Sequence, residues 1–150
     1  MTLSTIIVNA DDFGYSKDVN RAIISSLQSD LITSTSLMAN MPGFGDALAM
    51  VRLYPMLEHR IGLHLNLTEG FPLTTALHSF AEFCHPDTGE FTYKRARPLF
   101  RASQALQQAL YEEFEAQIRK VISAGIQPVH IDSHHHVHTE WAIAPIVCRL

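Results

Sequence analysis

The sequence predicts an α/β fold, a parallel sheet or barrel flanked by helices, and three observations carry that prediction. Short, β-branched apolar runs alternate with segments whose apolar residues recur at helical spacing; the order is strand, helix, strand, helix, strand, a long irregular excursion, helix, strand, helix. Polar side chains (Asp11, Asp12, His64, His134) fall toward the C-terminal ends of separate strand candidates, where folds of this kind place their sites. The stretch HIDSHHHVH, His130 to His138, gathers five of the nine histidines.

Leu3 to Ala10 reads as a buried strand ending at the pair Asp11-Asp12, and Phe13-Gly14-Tyr15 turns the chain. Ser16 is placed to cap a helix from Lys17 to about Gln28, with Val19, Ala22, Ile23 and Leu27 on one face. Thr33 to Ala39 is a second strand. A helix from Phe44 to Tyr54 follows and is stopped by Pro55. Arg60 to Leu67 is a third strand, with Ile61, Leu63, Leu65 and Leu67 on one face and Gly62, His64, Asn66 and Thr68 on the other. Glu69 to Arg101, broken by glycines and prolines, reads as a functional loop, and its Phe80, Phe83, Phe91 and Tyr93 either offer a stacking surface to a ligand or anchor the loop. Ser103 caps a long helix to about Ala124 with the stripe Leu106, Leu110, Phe114, Ile118 and Val121, ended by Gly125. The histidine stretch is then expected as a strand, and Trp141 to Leu150 as a further helix.

Composition narrows the partners. A chain of 150 residues amounts to a single domain able to bury a core, and 47% hydrophobic with 17% charged residues excludes a disordered chain. A net charge of −4 gives no electrostatic footprint for nucleic acid or an anionic membrane. Cys84 and Cys148 stand in no framework spacing, and MTLSTIIVNADD lacks a basic n-region, so no signal peptide, no membrane span and a cytoplasmic location are expected.

Strand alternation over the histidine stretch would put His130, Asp132, His134, His136 and His138 on one face and Val129, Ile131 and Val137 on the other. A face of imidazoles and a carboxylate is costly to bury alone, and a divalent cation is its natural partner. Metal-assisted hydrolysis needs three protein ligands, an open position and a base. Asp12, His64 and His134 supply such a ligand set, and Asp11 is left as the base, since a carboxylate beside a cation stays ionised and able to accept a proton. Each residue also has a plainer reading. An Asp-Asp pair can simply shape a turn, and His64 can bond a carbonyl. Asn9 and Asn66 would orient loops, His136 and His138 would support the ligands or face substrate, and His59, His78 and His85 would be exposed. Adjacent residues of a regular strand face opposite ways, so Asp11 and Asp12 share a site only if the strand ends near Ala10 and the turn redirects one of them.

In order, NADDFGYS, TSTSLMAN, GLHLNLTEG and PVHIDSHHHVH closely resemble the motifs of the YdjC-like carbohydrate deacetylases. The resemblance spans residues 6–138. It implies an α/β fold forming the N-terminal part of a distorted (β/α) barrel, like those of glycoside hydrolases and deacetylases. It further implies a divalent metal, usually magnesium with zinc as the alternative, and hydrolysis of the N-acetyl group of an amino sugar or short oligosaccharide. By motif position Asp12, His64 and His134 would hold the metal and Asp11 would be the base.

A (β/α) barrel typically needs about 250 residues, so the chain is expected to be one domain, 1–150, truncated on its C-terminal side. A late histidine motif of the family is not in it. An open barrel would expose sheet edges and favour association, homo-oligomers included. Two other readings stay open: a metal-dependent phosphoesterase, against which the lack of a Gly-rich or Arg-rich phosphate cradle counts, and a metal-binding remnant without activity.

Overall fold

A computed structural model describes residues 6–94 and 101–150. The elements run β1 (Asn9–Phe13), α1 (Lys17–Gln28), β2 (Ser34–Leu37), α2 (Phe44–Leu53), β3 (Ile61–Leu65), α3 (Gln104–Ser123), β4 (Ile131–Ser133) and α4 (Ala144–Val147). The strands form one parallel sheet in the order β1-β2-β3-β4. A parallel neighbour requires a crossover, and α1, α2 and α3 supply those crossovers. The expected α/β class is therefore the observed one.

Helix ends follow local chemistry. The Ser16 hydroxyl accepts from the Val19 amide at 3.3 Å and that of Ser103 from the Leu106 amide at 3.2 Å, each satisfying a backbone donor that the first helical turn leaves unpaired. The buried side of α3 holds Leu106, Leu110, Phe114 and Val121 as expected, and also Glu113 and Gln117. Leu37, Leu63 and Leu65 are wholly buried on the helix side of the sheet, whose core extends to Phe13, Leu27, Leu110 and Phe114.

The sheet's two faces differ in chemistry, because side chains alternate along each strand and the register aligns like with like. Asn9 pairs with Ser34, Ser36 with Gly62, and His64 with Asp132, which makes the inner face polar. The His130 ring rests against Gly62, where a Cβ would lie 2.2 Å from its Nε2, so a larger residue there would make that imidazole shift.

Three expectations change. The first strand is β1, which runs on through Asp11 and Asp12 to Phe13; Ile6 to Val8 are exposed, and residues 1–5 lie outside the described ones. The histidine stretch is strand only over Ile131–Ser133 and continues as a 3-10 segment, His134–Thr139. His135 and His136 have consecutive left-handed φ values of 51° and 55°, which end the extended backbone, so the predicted alternation breaks after Ser133. The last helix is a single short turn that leaves Trp141 exposed. In the excursion, Phe83 and Tyr93 stack at 4.6 Å and are buried with Phe91, so these rings anchor the loop to the core and offer no platform to a sugar. His59, His78 and His85 are exposed, as expected.

Candidate metal centre

Asp11 and Asp12 reach the same side of the sheet by a bulge. Ala10 pairs with Thr35 and Phe13 with Leu37, so three steps along β1 oppose two along β2 and one residue is extra. Asp12 absorbs it with φ of 70°, a left-handed value that aspartate tolerates better than most residues. The sequence reading needed the strand to stop at Ala10; the bulge redirects Asp12 without ending the strand. Behind it, Gly14 at φ of 90° passes so close to β2 that a Cβ would sit 2.8 Å from the Met38 carbonyl oxygen. The buried Asn20 clamps this turn, accepting from the Gly14 amide at 2.6 Å and donating to the Gly43 carbonyl at 3.0 Å.

Three segments distant in sequence converge at this bulge. Asp12 Oδ1 lies 2.9 Å from His134 Nδ1 and 3.3 Å from His64 Nε2. The ligand atoms of Asp12, His64 and His134 all fall within 4.8 Å of one another. Asp12 Oδ1 and His64 Nε2 are buried yet have no aligned hydrogen-bond partner among the described residues. Buried polar atoms are ordinarily paired. Two imidazole nitrogens and a carboxylate oxygen aimed at one point, two of them unpartnered, fit a divalent cation.

Two neighbouring groups have the same compactness, Glu69 with His134 and His135, and Asp11 with His64 and Asp132. Their atoms are otherwise engaged: His135 Nδ1 lies 3.1 Å from the Thr68 hydroxyl, and Asp132 Oδ1 lies 2.7 Å from His64 Nδ1.

The electrostatics of the site express the same crowding. The His134 and His64 imidazoles hold the Asp12 carboxyl well below the usual carboxylate range. Burial by itself would lower the pKa of His64, but the Asp12 and Asp132 carboxylates outweigh it and raise the group to about 9. Burial would likewise raise that of Asp132, and its bonds to His64 and Ser36 reverse the sign and lower it.

Of the four site residues read from sequence, Asp12, His64 and His134 meet, and Asp11 stands beside them with Oδ1 held by the Asn9 amide at 2.8 Å. Sequence reasoning put Asp132 on the polar face of the histidine stretch but gave it no individual role. It stands directly beside His64 in the β3–β4 register, which only strand pairing reveals. Asn66 and Gln117 also act here. Gln117 Nε2 donates to the Asn66 carbonyl at 2.7 Å and Oε1 accepts from its amide at 2.9 Å, fixing the end of β3 just beyond His64. The signal for Gln117 was a polar residue on the apolar stripe of α3, whereas Asn66 was expected to orient a loop and does so through the Thr68 and Glu69 backbone.

A parallel α/β sheet carrying three metal-type ligands toward its strand ends defines a class: an α/β scaffold with a candidate metal centre. Within that class the match is specific. The model of the YdjC-like protein family matches residues 5–150, and the chain belongs to that family. It is 39% identical over 145 residues to a carbohydrate deacetylase of Brevibacillus brevis, covering 97% of this chain and 54% of that protein. It is 39% identical over 143 residues to a chitooligosaccharide deacetylase of Serratia marcescens, covering 95% of this chain and 53% of that one. A crystal structure of a proposed cellobiose-phosphate cleavage protein from Enterococcus faecalis V583 superposes with a TM-score of 0.79 at 30% identity, covering 95% of this chain and 53% of that one. The chain spans about half the length of the curated relatives it matches.

Proposed function

We propose that this chain carries the cation-binding and base residues of a metal-dependent carbohydrate N-deacetylase, acting on the N-acetyl group of an amino sugar or short oligosaccharide. The observation that supports this most directly is the convergence of Asp12, His64 and His134 with unpartnered ligand atoms, in a chain whose relatives are named deacetylases. Those three residues would hold the ion. When bound, the ion lowers the pKa of water and offsets negative charge gathering on the acetamide oxygen. Asp11 takes the proton of the attacking water; its carboxylate oxygen lies within 4.8 Å of a His64 ring nitrogen, and Asn9 fixes its orientation. Two imidazoles and one carboxylate form a donor set typical of zinc, whereas magnesium prefers oxygen, so the donor chemistry favours Zn2+ of the two expected ions.

The test is acetate release from an N-acetylated chito-oligosaccharide with Zn2+ or Mg2+ present. Asp11→Asn should lower the rate at least 100-fold with cation uptake intact. Acetate release unchanged in that variant would remove Asp11 from the chemistry. The relation to a proposed cellobiose-phosphate cleavage protein supports a second reading, hydrolysis of a phosphorylated sugar. Against it, the cavity of about 700 Å³ lined by Asp11, Asp132, His130 and His136 includes, among the described residues, no lysine or arginine to meet a phosphate. Release of phosphate without acetate would favour this second reading.

A further inference from the structure

Asp132 does not belong to the three ligands, yet it makes a short contact to one of them. Its Oδ1 lies 2.7 Å from His64 Nδ1, the ring nitrogen that faces away from Asp12. The Ser36 hydroxyl also reaches that nitrogen, at 3.2 Å. The direction of every hydrogen in this cluster can be worked out from its neighbours. The Ser34 hydroxyl donates to Asn9 Oδ1, so the Asn9 amide must turn its NH2 the other way. That NH2 donates one hydrogen to Asp11 Oδ1 at 2.8 Å and the other to Ser36 Oγ at 3.1 Å. Ser36, having accepted from Asn9, is left with its own hydrogen for the Asp132 carboxylate. Asp132, an acceptor only, then draws the proton of His64 onto Nδ1.

We infer that Asp132 is a positioning residue that fixes His64 with its proton on Nδ1, so that Nε2 is committed to the cation beside Asp12, with Asn9 and Ser36 joining this arrangement to Asp11. The inference rests on the reading of Asp12, His64 and His134 as cation ligands. Its physical basis is general: a ligating imidazole is oriented, and made a better donor, by the carboxylate that binds its other nitrogen. Register makes the pairing inevitable here, because His64 and Asp132 are direct neighbours on adjacent parallel strands. Asn9 adds a consequence, since a single amide group holds both the base and the hydroxyl that braces Asp132.

The experiment is titration of the full chain with Zn2+ alone, as wild type, Asp132→Asn, Asp132→Ala and Ser36→Ala, together with nitrogen NMR of histidine-labelled protein. The wild type should take up one ion with His64 Nε2 coordinated and Nδ1 protonated. Asp132→Ala should weaken uptake by roughly 10- to 100-fold and lose the fixed proton on Nδ1. Asp132→Asn keeps an acceptor oxygen and should recover part of the loss, and Ser36→Ala should cost less than either. Should Asp132→Ala fail to fold, the Asn and Ser36 variants carry the test. Equal affinity in wild type and Asp132→Asn, or coordination through Nδ1, overturns this inference while leaving the ligand set standing. No uptake by the wild type overturns both.

Discussion

At the scale of single residues, the site turns on which atoms are already satisfied. His64 is nearly inaccessible to solvent and lies between two carboxylates, which favour its protonated form. With its pKa raised from 6.5 to about 9, that protonated imidazole stabilises the metal-free fold fully below about pH 6.5, and its contribution fades as pH rises through about 9. A cation must displace the Nε2 proton, so uptake at pH 7 should release close to one proton and tighten as pH rises toward 9. Calorimetry in buffers of different ionisation enthalpy measures this; uptake with no proton release would contradict it. The ligand set makes a second prediction. His64→Ala and His134→Ala should abolish stoichiometric cation uptake, measured by equilibrium dialysis, while the exposed His59→Ala should leave it unchanged. Equal uptake in all three variants would count against the assignment. Asp11, Asp12, His64 and His134 were legible because their types fall together at the ends of separate strands, although each alone has a plainer reading. Asp132 was not, because its partner is 68 positions away and only register joins them.

At the scale of elements, the most informative piece is α3, whose apolar stripe carries two polar residues. Glu113 is wholly buried, and its carboxylate accepts from the Leu73 and Thr74 amides at 2.9 Å each and from the Thr74 hydroxyl. Gln117 donates to the same carboxylate at 2.9 Å and also reaches the backbone of Asn66. Together they tie the start of the long excursion to the end of β3. Glu113→Ala would leave those amide donors without an acceptor, and such a loss costs roughly 1–3 kcal/mol. Urea unfolding should show that loss, with Glu113→Gln falling between it and the wild type. A change below about 0.5 kcal/mol, the range of an ordinary surface substitution, would mean the clamp contributes nothing. The periodicity of α3 was readable because 20 residues, about five and a half turns of helix, cannot hide their buried side; its polar members were passed over because composition alone assigns Glu and Gln to solvent. The histidine stretch was misread for the opposite reason. Alternation along a strand presumes extended backbone, and the left-handed His135 and His136 break it at the point where the chain must turn.

At the scale of the whole molecule, a cation at Asp12, His64 and His134 would join β1, β3 and the segment after β4, and so span the sheet. Among the described residues β1 and β4 are its edges, with Ile6, Val129 and Ile131 exposed beside them. A ligand that binds only the folded state stabilises it by about 2.7 kcal/mol at 100 times its dissociation constant. For a domain of this size that corresponds to a rise in Tm of roughly 5–10 °C. Thermal unfolding with and without Zn2+ should show the rise in the wild type and lose most of it in His134→Ala; an equal rise in both would point to binding elsewhere. The sequence by itself determined the alternation of strands and helices, the caps at Ser16 and Ser103, and the residue types able to hold a metal. These depend on periodicity and side-chain chemistry, which are local. Tertiary structure alone decided that Asp11 and Asp12 share a side through a one-residue bulge, that Asp132 backs His64, and that the chain turns at His135. Those outcomes depend on register and on left-handed backbone, which neighbouring strands impose and no stretch of sequence states on its own.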